Sequence, residues 1–157
     1  MDPQRYIIAK IEPEMNETGR FPWLKFISET SLLPVADYPA LLVEDEKPFG
    51  TDGVFGDGSP ALKTGEYIMS LIVKTLNLKD MTRSDYRGAK TVAVKRIEEL
   101  QNFLAEEITL NPVFEEDGNK VHIAGLLFEE SELGFVEVDS TPALILQVPV
   151  KTKYIIS

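Results

Sequence analysis

The 157-residue sequence predicts an α+β fold. One domain, residues 1–157, is expected, with a mainly antiparallel sheet carrying a long helix (about 85–110) and a short N-terminal helix on one face. Three observations predict it. The stretch "GEYIMSLIVKTLNL" alternates with the period of two that a strand requires. The stretch "SDYRGAKTVAVKRIEELQNFLAEEITLNP" places its apolar residues three and four apart, as a helix does. Strand-like runs lie on both sides of that helix, and no repeat, low-complexity tract or linker divides the chain.

The first element is expected in "DPQRYIIAKIEPEM". Asp2 can cap a helix there, Pro3 suits its first position, Ile7 and Ile11 form its apolar stripe, and Pro13 limits its length. A strand over residues 6–11 is the alternative. Residues 23–30 then read as a strand. A second is centred on residues 40–44, where the unbroken run Ala40-Leu41-Leu42-Val43 predicts burial on both faces, with Pro39 at its start.

Residues 47–67, "KPFGTDGVFGDGSPALKTGEY", hold five glycines and two prolines. Residues 45–66 are expected to form a long Gly-rich loop or arm. In the strand that follows, Tyr67, Met69, Leu71, Val73 and Thr75 share one face and are the expected core side. The long helix takes Ser84 or Asp85 as its cap. Ala93, Ile97, Leu100, Leu104 and Ile108 form its stripe, and Pro112 is its stop. Beyond it, "NPVFEEDGNKVHIAGLLFEESELGFVEVD" and "TPALILQVPVKTKYIIS" read as strands. Asp117-Gly118 is the expected hairpin turn. Gly125 and Gly134 mark expected bulges or bends, and Pro149 predicts an edge position for its strand.

Composition narrows the chemistry. With no cysteine, disulfides, thiolate metal sites and cysteine nucleophiles are excluded. The apolar run near the start, residues 6–9, is too short for a signal-peptide core. No window approaches the roughly 20 apolar residues of a spanning helix. A soluble protein without membrane contact is expected. The net charge is −10, from 26 acidic and 16 basic residues. That balance disfavours tight binding to a phosphate backbone, while an acidic wall lets DNA pass without sticking.

Catalytic motifs fail one by one. "GVFGDGSPALKT" has no Gly-Lys pair, and a strand rather than a helix follows it, so it is no phosphate cradle. "TDGVFGDGS" offers only Asp52 and Asp57, too few for a calcium loop beyond a weak adventitious site. His122, the single histidine, sits in "KVHIAGL" and reads as a partly buried structural residue. A triad with Ser131 or Ser140 lacks the nucleophile-elbow context. The acidic pairs Glu98-Glu99, Glu106-Glu107 and Glu129-Glu130 read as solvated surface. No enzyme, cofactor or metal site is expected.

What remains is a surface. Phe49, Val54 and Phe55 are apolar residues on a long loop, and such residues commonly bury in a partner. Lys90, Lys95 and Arg96 cluster in the first half of the long helix and read as a partner-facing patch, or as a counterweight to the glutamates that follow.

In its order of elements the chain resembles the tail-terminator (tail-completion, minor tail) proteins of long-tailed bacteriophages and prophages. The features are the short first helix, the strand pair joined through Asp37-Tyr38-Pro39-Ala40 and running into Leu41-Leu42-Val43, and the long loop. The strand over 66–76, the helix from Asp85 and the terminal "ALILQVPVKTKY" follow in the same order. The resemblance spans nearly the whole chain as pattern rather than identity. The loop after Val43 and the segment 115–139 are longer than the family leads one to expect. The resemblance implies a structural homo-oligomer, typically a hexameric ring, that caps the tail tube and meets the head-side connector. Its partners would be other copies, tail-tube protein, the head–tail connector and, passively, transiting DNA. It would assemble in the host cytoplasm and end in the virion tail. Two other readings are another phage neck or adaptor protein, and a small-ligand-binding module with residues 48–66 as a lid beside an apolar pocket.

Overall fold

A computed structural model describes residues 3–31, 34–46, 53–55, 62–75, 82–138 and 141–156. The chain opens with helix α1 (Pro3–Ile11), followed by a 3-10 turn (Glu12–Glu14) and strands β1 (Phe26–Ser28), β2 (Ala40–Asp45), β3 (Gly53–Phe55) and β4 (Leu62–Thr75). Helix α2 (Arg83–Leu110) leads into β5 (Val113–Glu116), β6 (Asn119–Phe128), β7 (Glu132–Val138) and β8 (Thr141–Ile156). The α+β expectation holds, and "DPQRYIIAKIEPEM" contributes a helix rather than the alternative strand.

The strands of the described residues form one sheet in the order β1-β2-β4-β8-β6-β5, with β3 beside β4 and β7 beside β8. The long strands β4 and β8 run antiparallel along its middle, pairing Tyr67 with Val150 and Leu71 with Leu146. Each carries two shorter strands end to end on its other side. β2 and β3 share the flank of β4, and β6 and β7 share the flank of β8. Among the described strands only β1 pairs parallel, with β2.

Both helices pack on one face. Tyr67, Met69 and Leu71 of β4 meet Leu146, Val148 and Val150 of β8 beneath Ile7 and Ile11 of α1 and Ile97, Leu100 and Leu104 of α2. Burying each such side chain contributes roughly 1.5–3 kcal/mol before entropy costs. Gln4, though polar, is buried in this layer because its Nε2 donates to the carbonyls of Glu29 and Val43. Ala40, Leu42, Ile72 and Ala143 form a smaller cluster on the opposite face, covered by Val35 and Tyr38. β2 is therefore buried on both sides, as its unbroken apolar run predicts.

Four details differ from the sequence reading. The first strand is short, Phe26–Ser28, rather than 23–30. Helix α2 is capped by Thr82, not Ser84 or Asp85. The Thr82 hydroxyl accepts from Asp85 N, and the Asp85 carboxylate accepts from Thr82 N, a reciprocal capping box. Pro149 is not on an edge, because β8 is central. Its carbonyl accepts from Glu129 N at 2.9 Å, so the side of the strand that lacks an N–H faces the 129–131 connection, where the neighbour changes from β6 to β7. Gly134 stays in register opposite Ile145, whereas Gly125 follows a real bulge between Ile123 and itself. The β5–β6 turn is as expected: Asp117 (φ 51°) and Gly118 (φ 80°) both take the left-handed conformation of a tight hairpin.

Candidate assembly surface

The Gly-rich arm begins as an extension of the sheet. β3 pairs with the first residues of β4, Gly53 opposite Thr64 and Phe55 opposite Leu62, so part of the expected loop is strand. On β3, Val54 is 63% exposed. Phe49 lies outside the described residues, as does the side chain of Phe55. The arm thus leaves the body at the free end of a central strand and presents at least one apolar side chain to water.

Helix α2 divides into two electrostatic halves. Arg83, Arg87, Lys90, Lys95 and Arg96 stand against Asp85 in the first, and Glu98, Glu99, Glu106 and Glu107 stand without a base in the second. This order opposes the helix dipole, which favours acids at the N-terminus and bases at the C-terminus. The last two of these acids are answered from within the chain. Lys10 reaches Glu107 at 3.5 Å and Arg20 reaches Glu106 at 2.9 Å. Among the described residues, no ion pair forms at Arg83, Arg87, Lys90 or Lys95, all of which are exposed.

Arg96 differs from its neighbours. Its guanidinium lies over the Trp23 ring, 4.7 Å from the centroid. Trp23 in turn meets Phe21, which packs edge-on against Phe103. One flank of α2 is therefore clothed by residues 21–23. On the other flank Arg87, Lys90, Thr91, Val94, Lys95 and Glu98 line a groove of about 490 Å³. Their spacing of three and four makes them a single stripe. Of the three cations singled out in the sequence, Lys90 and Lys95 belong to this open stripe. Arg87 completes it and was legible three positions before Lys90.

The face of the sheet away from the helices has its own pattern. Its small apolar cluster gives way, toward the other end, to a cross-strand row in which Glu66, Lys151 and Leu127 stand side by side on β4, β8 and β6. Leu127 is 59% exposed. Lys151 Nζ is 3.0 Å from Glu129 Oε1. Glu129 holds the Lys151 pKa above the usual lysine value, and Glu66 and Glu46 push the same way. Sequence reasoning missed Leu127, since "HIAGLLF" alone does not say which leucine faces out.

A concavity of about 450 Å³ lies along residues 64–66, 125–127 and 151–153. Gly65 is needed there, because a Cβ would stand 2.6 Å from Tyr67 Oη and 2.9 Å from Thr152 Oγ1. The polar groups lining it already serve one another, Thr152 Oγ1 donating to the Gly65 carbonyl and Lys151 pairing with Glu129. His122 is exposed on β6 rather than partly buried. Among the described residues, no three His, Asp or Glu side chains converge as a metal site would need, and no helix is long and apolar enough to cross a membrane.

No protein-family model matches this sequence, and no curated protein matches it.

Proposed function

We propose that the chain is a structural, non-catalytic protein of a phage or prophage tail, a tail-terminator-like subunit whose ring caps the tail tube and meets the head-side connector. The observation that carries the reading is the arm. A helix-backed sheet extends its central strand β4 to pair with β3 and offers Val54 to solvent, which suits a segment that docks on a neighbour. The bare cationic flank of α2 supports the same reading, since it adds a second docking surface to a body whose core is otherwise closed. The order of elements agrees with the pattern of that family. In this role the protein works in the host cytoplasm during assembly and then in the virion.

The test is tube capping. Tail-tube protein polymerised with the purified chain should give tubes shortened in proportion to the added chain, each with a density at one end in negative-stain images. Tubes of unchanged length with bare ends would overturn the reading.

The concavity beside residues 64–66 favours a second reading, a small-ligand module with the arm as a lid. A thermal-shift screen of small apolar acids and alcohols distinguishes the two. Saturable stabilisation that is lost with Leu127→Glu, at an exposed lining position, would favour the ligand reading.

A further inference from the structure

Two surfaces of this chain are complementary and lie on opposite sides of it. The helix layer carries the open stripe of Arg87, Lys90 and Lys95 around half-buried Val94, a shallow groove with an apolar floor and three cations on its walls against one acid, Glu98, at its far end. The open face of the sheet carries the reverse, a protruding Leu127 amid acids. Glu44, Glu66 and Glu132 lie on that face by strand alternation, with Glu46 and Glu129 at the strand ends; among the described residues Lys151, which already pairs with Glu129, and Lys153 stand among them, and Lys120 lies toward the β5–β6 end of the same face. Like surfaces repel, so neither stripe nor sheet face can pair with its own copy across a two-fold axis. Unlike surfaces on opposite sides give a head-to-tail contact, the kind that closes into a ring or runs on as a filament.

We propose that the α2 stripe of one subunit docks on the open sheet face of the next copy, with Leu127 entering the groove over Val94 between Arg87, Lys90 and Lys95. This rests on the ring reading and names the contact that builds the ring. It accounts for the inverted charge order of α2. Glu106 and Glu107 are neutralised within the chain, and the early bases are neutralised by the neighbour. It also assigns a partner to cations that form no ion pair among the described residues. A nucleic acid is the other polyanion such a stripe fits, but a subunit with net charge −10 repels it overall.

The experiment reverses charge on each surface separately. Lys90→Glu/Lys95→Glu alters the stripe and Glu46→Lys/Glu66→Lys the sheet face. All four residues are exposed, and circular dichroism and thermal unfolding confirm that each variant stays folded. Sedimentation velocity of the full chain at low salt should show self-association in the wild type, weakened about 100-fold or more in either variant. Mixing the two variants should restore it, because each then offers the surface the other needs. Association should also fade between about 0.1 and about 1 M salt, as the screening length falls from about 10 to about 3 Å. A wild-type oligomer that both variants form unchanged would overturn this contact and leave the ring reading standing. A wild type that stays monomeric alone and with tube protein would overturn both. If the wild type binds a random-sequence DNA duplex and the stripe variant does not, while both oligomerise equally, the stripe is a nucleic-acid site and the proposal fails.

Discussion

The Tyr6 hydroxyl donates to the Asn111 carbonyl at 2.9 Å, joining the first helix to the residue that ends the second. Tyr6 has no exposed surface, and its ring meets Phe114 edge-on. The bond fixes the far end of α2 over the sheet, and so fixes the direction in which the cationic half of the helix points.

Tyr6→Phe should therefore destabilise the protein by about 1–2 kcal/mol, because the Asn111 carbonyl loses its donor. Burial, with Glu107 adding to it, pushes the Tyr6 pKa up from 10.0 to about 12. A raised folded-state pKa means that the contribution is complete below pH 10 and is lost as pH rises from 10 toward about 12. Urea titrations across that range should show the wild type losing more stability than Tyr6→Phe.

At the other end of α2, the capping box makes the opposite pH signature. Hydrogen bonds from the Thr82 backbone, and then its side chain, hold the Asp85 pKa below its ordinary 3.8. A depressed folded-state pKa gives stability that is complete above 3.8 and is lost as pH falls below it. Thr82→Ala should cost about 1 kcal/mol at neutral pH. Helicity measured by circular dichroism through this acid range should fall more in the wild type than in Asp85→Asn.

Arg96→Ala separates structure from assembly. Removing the guanidinium from the Trp23 face should cost about 1 kcal/mol. Trp23 is the single tryptophan, so its emission reports the change directly and should move to the red. The oligomer mass should stay that of the wild type. An unaltered spectrum with lost assembly would instead return Arg96 to the docking surface.

These residues show what the sequence makes legible. The alternation of β4 could be read because the helix layer covers one face along the strand, while the other face is buried only around Ser70 and Ile72. The length of α2 could be read because its stripe is unbroken. The cap was misplaced by two or three residues although Thr82 and Asp85 stand three apart, because Ser84 and Asp85 are also good capping types. Pro149 misled because a missing N–H is harmless wherever the neighbouring strand changes, and pairing partners are long-range facts. Arg96 looked like Lys95 because its aromatic partner lies in a distant turn. Leu127 was hidden by the bulge before Gly125. Val121 and Ile123 face the helices, and unbroken alternation would turn Leu127 inward as well. The extra residue reverses the parity, so Leu126 and Phe128 face in and Leu127 faces out.

Deleting residues 51–59 tests the arm. The deletion removes β3, whose described pairing is confined to the first residues of β4, and takes no described residue from either apolar cluster. Thermal unfolding should stay cooperative, with the midpoint lowered by no more than a few degrees, while the oligomer is lost. Global unfolding of this variant would mean that the arm is part of the body.

The central claim is that this body exists to dock copies of itself. Native mass spectrometry of the purified full chain at low ionic strength, across a wide concentration range, tests it most directly. One closed assembly of fixed subunit number, growing at the expense of monomer as concentration rises, is the predicted result. A monomer at every concentration, unaltered when tube protein is added, would contradict it.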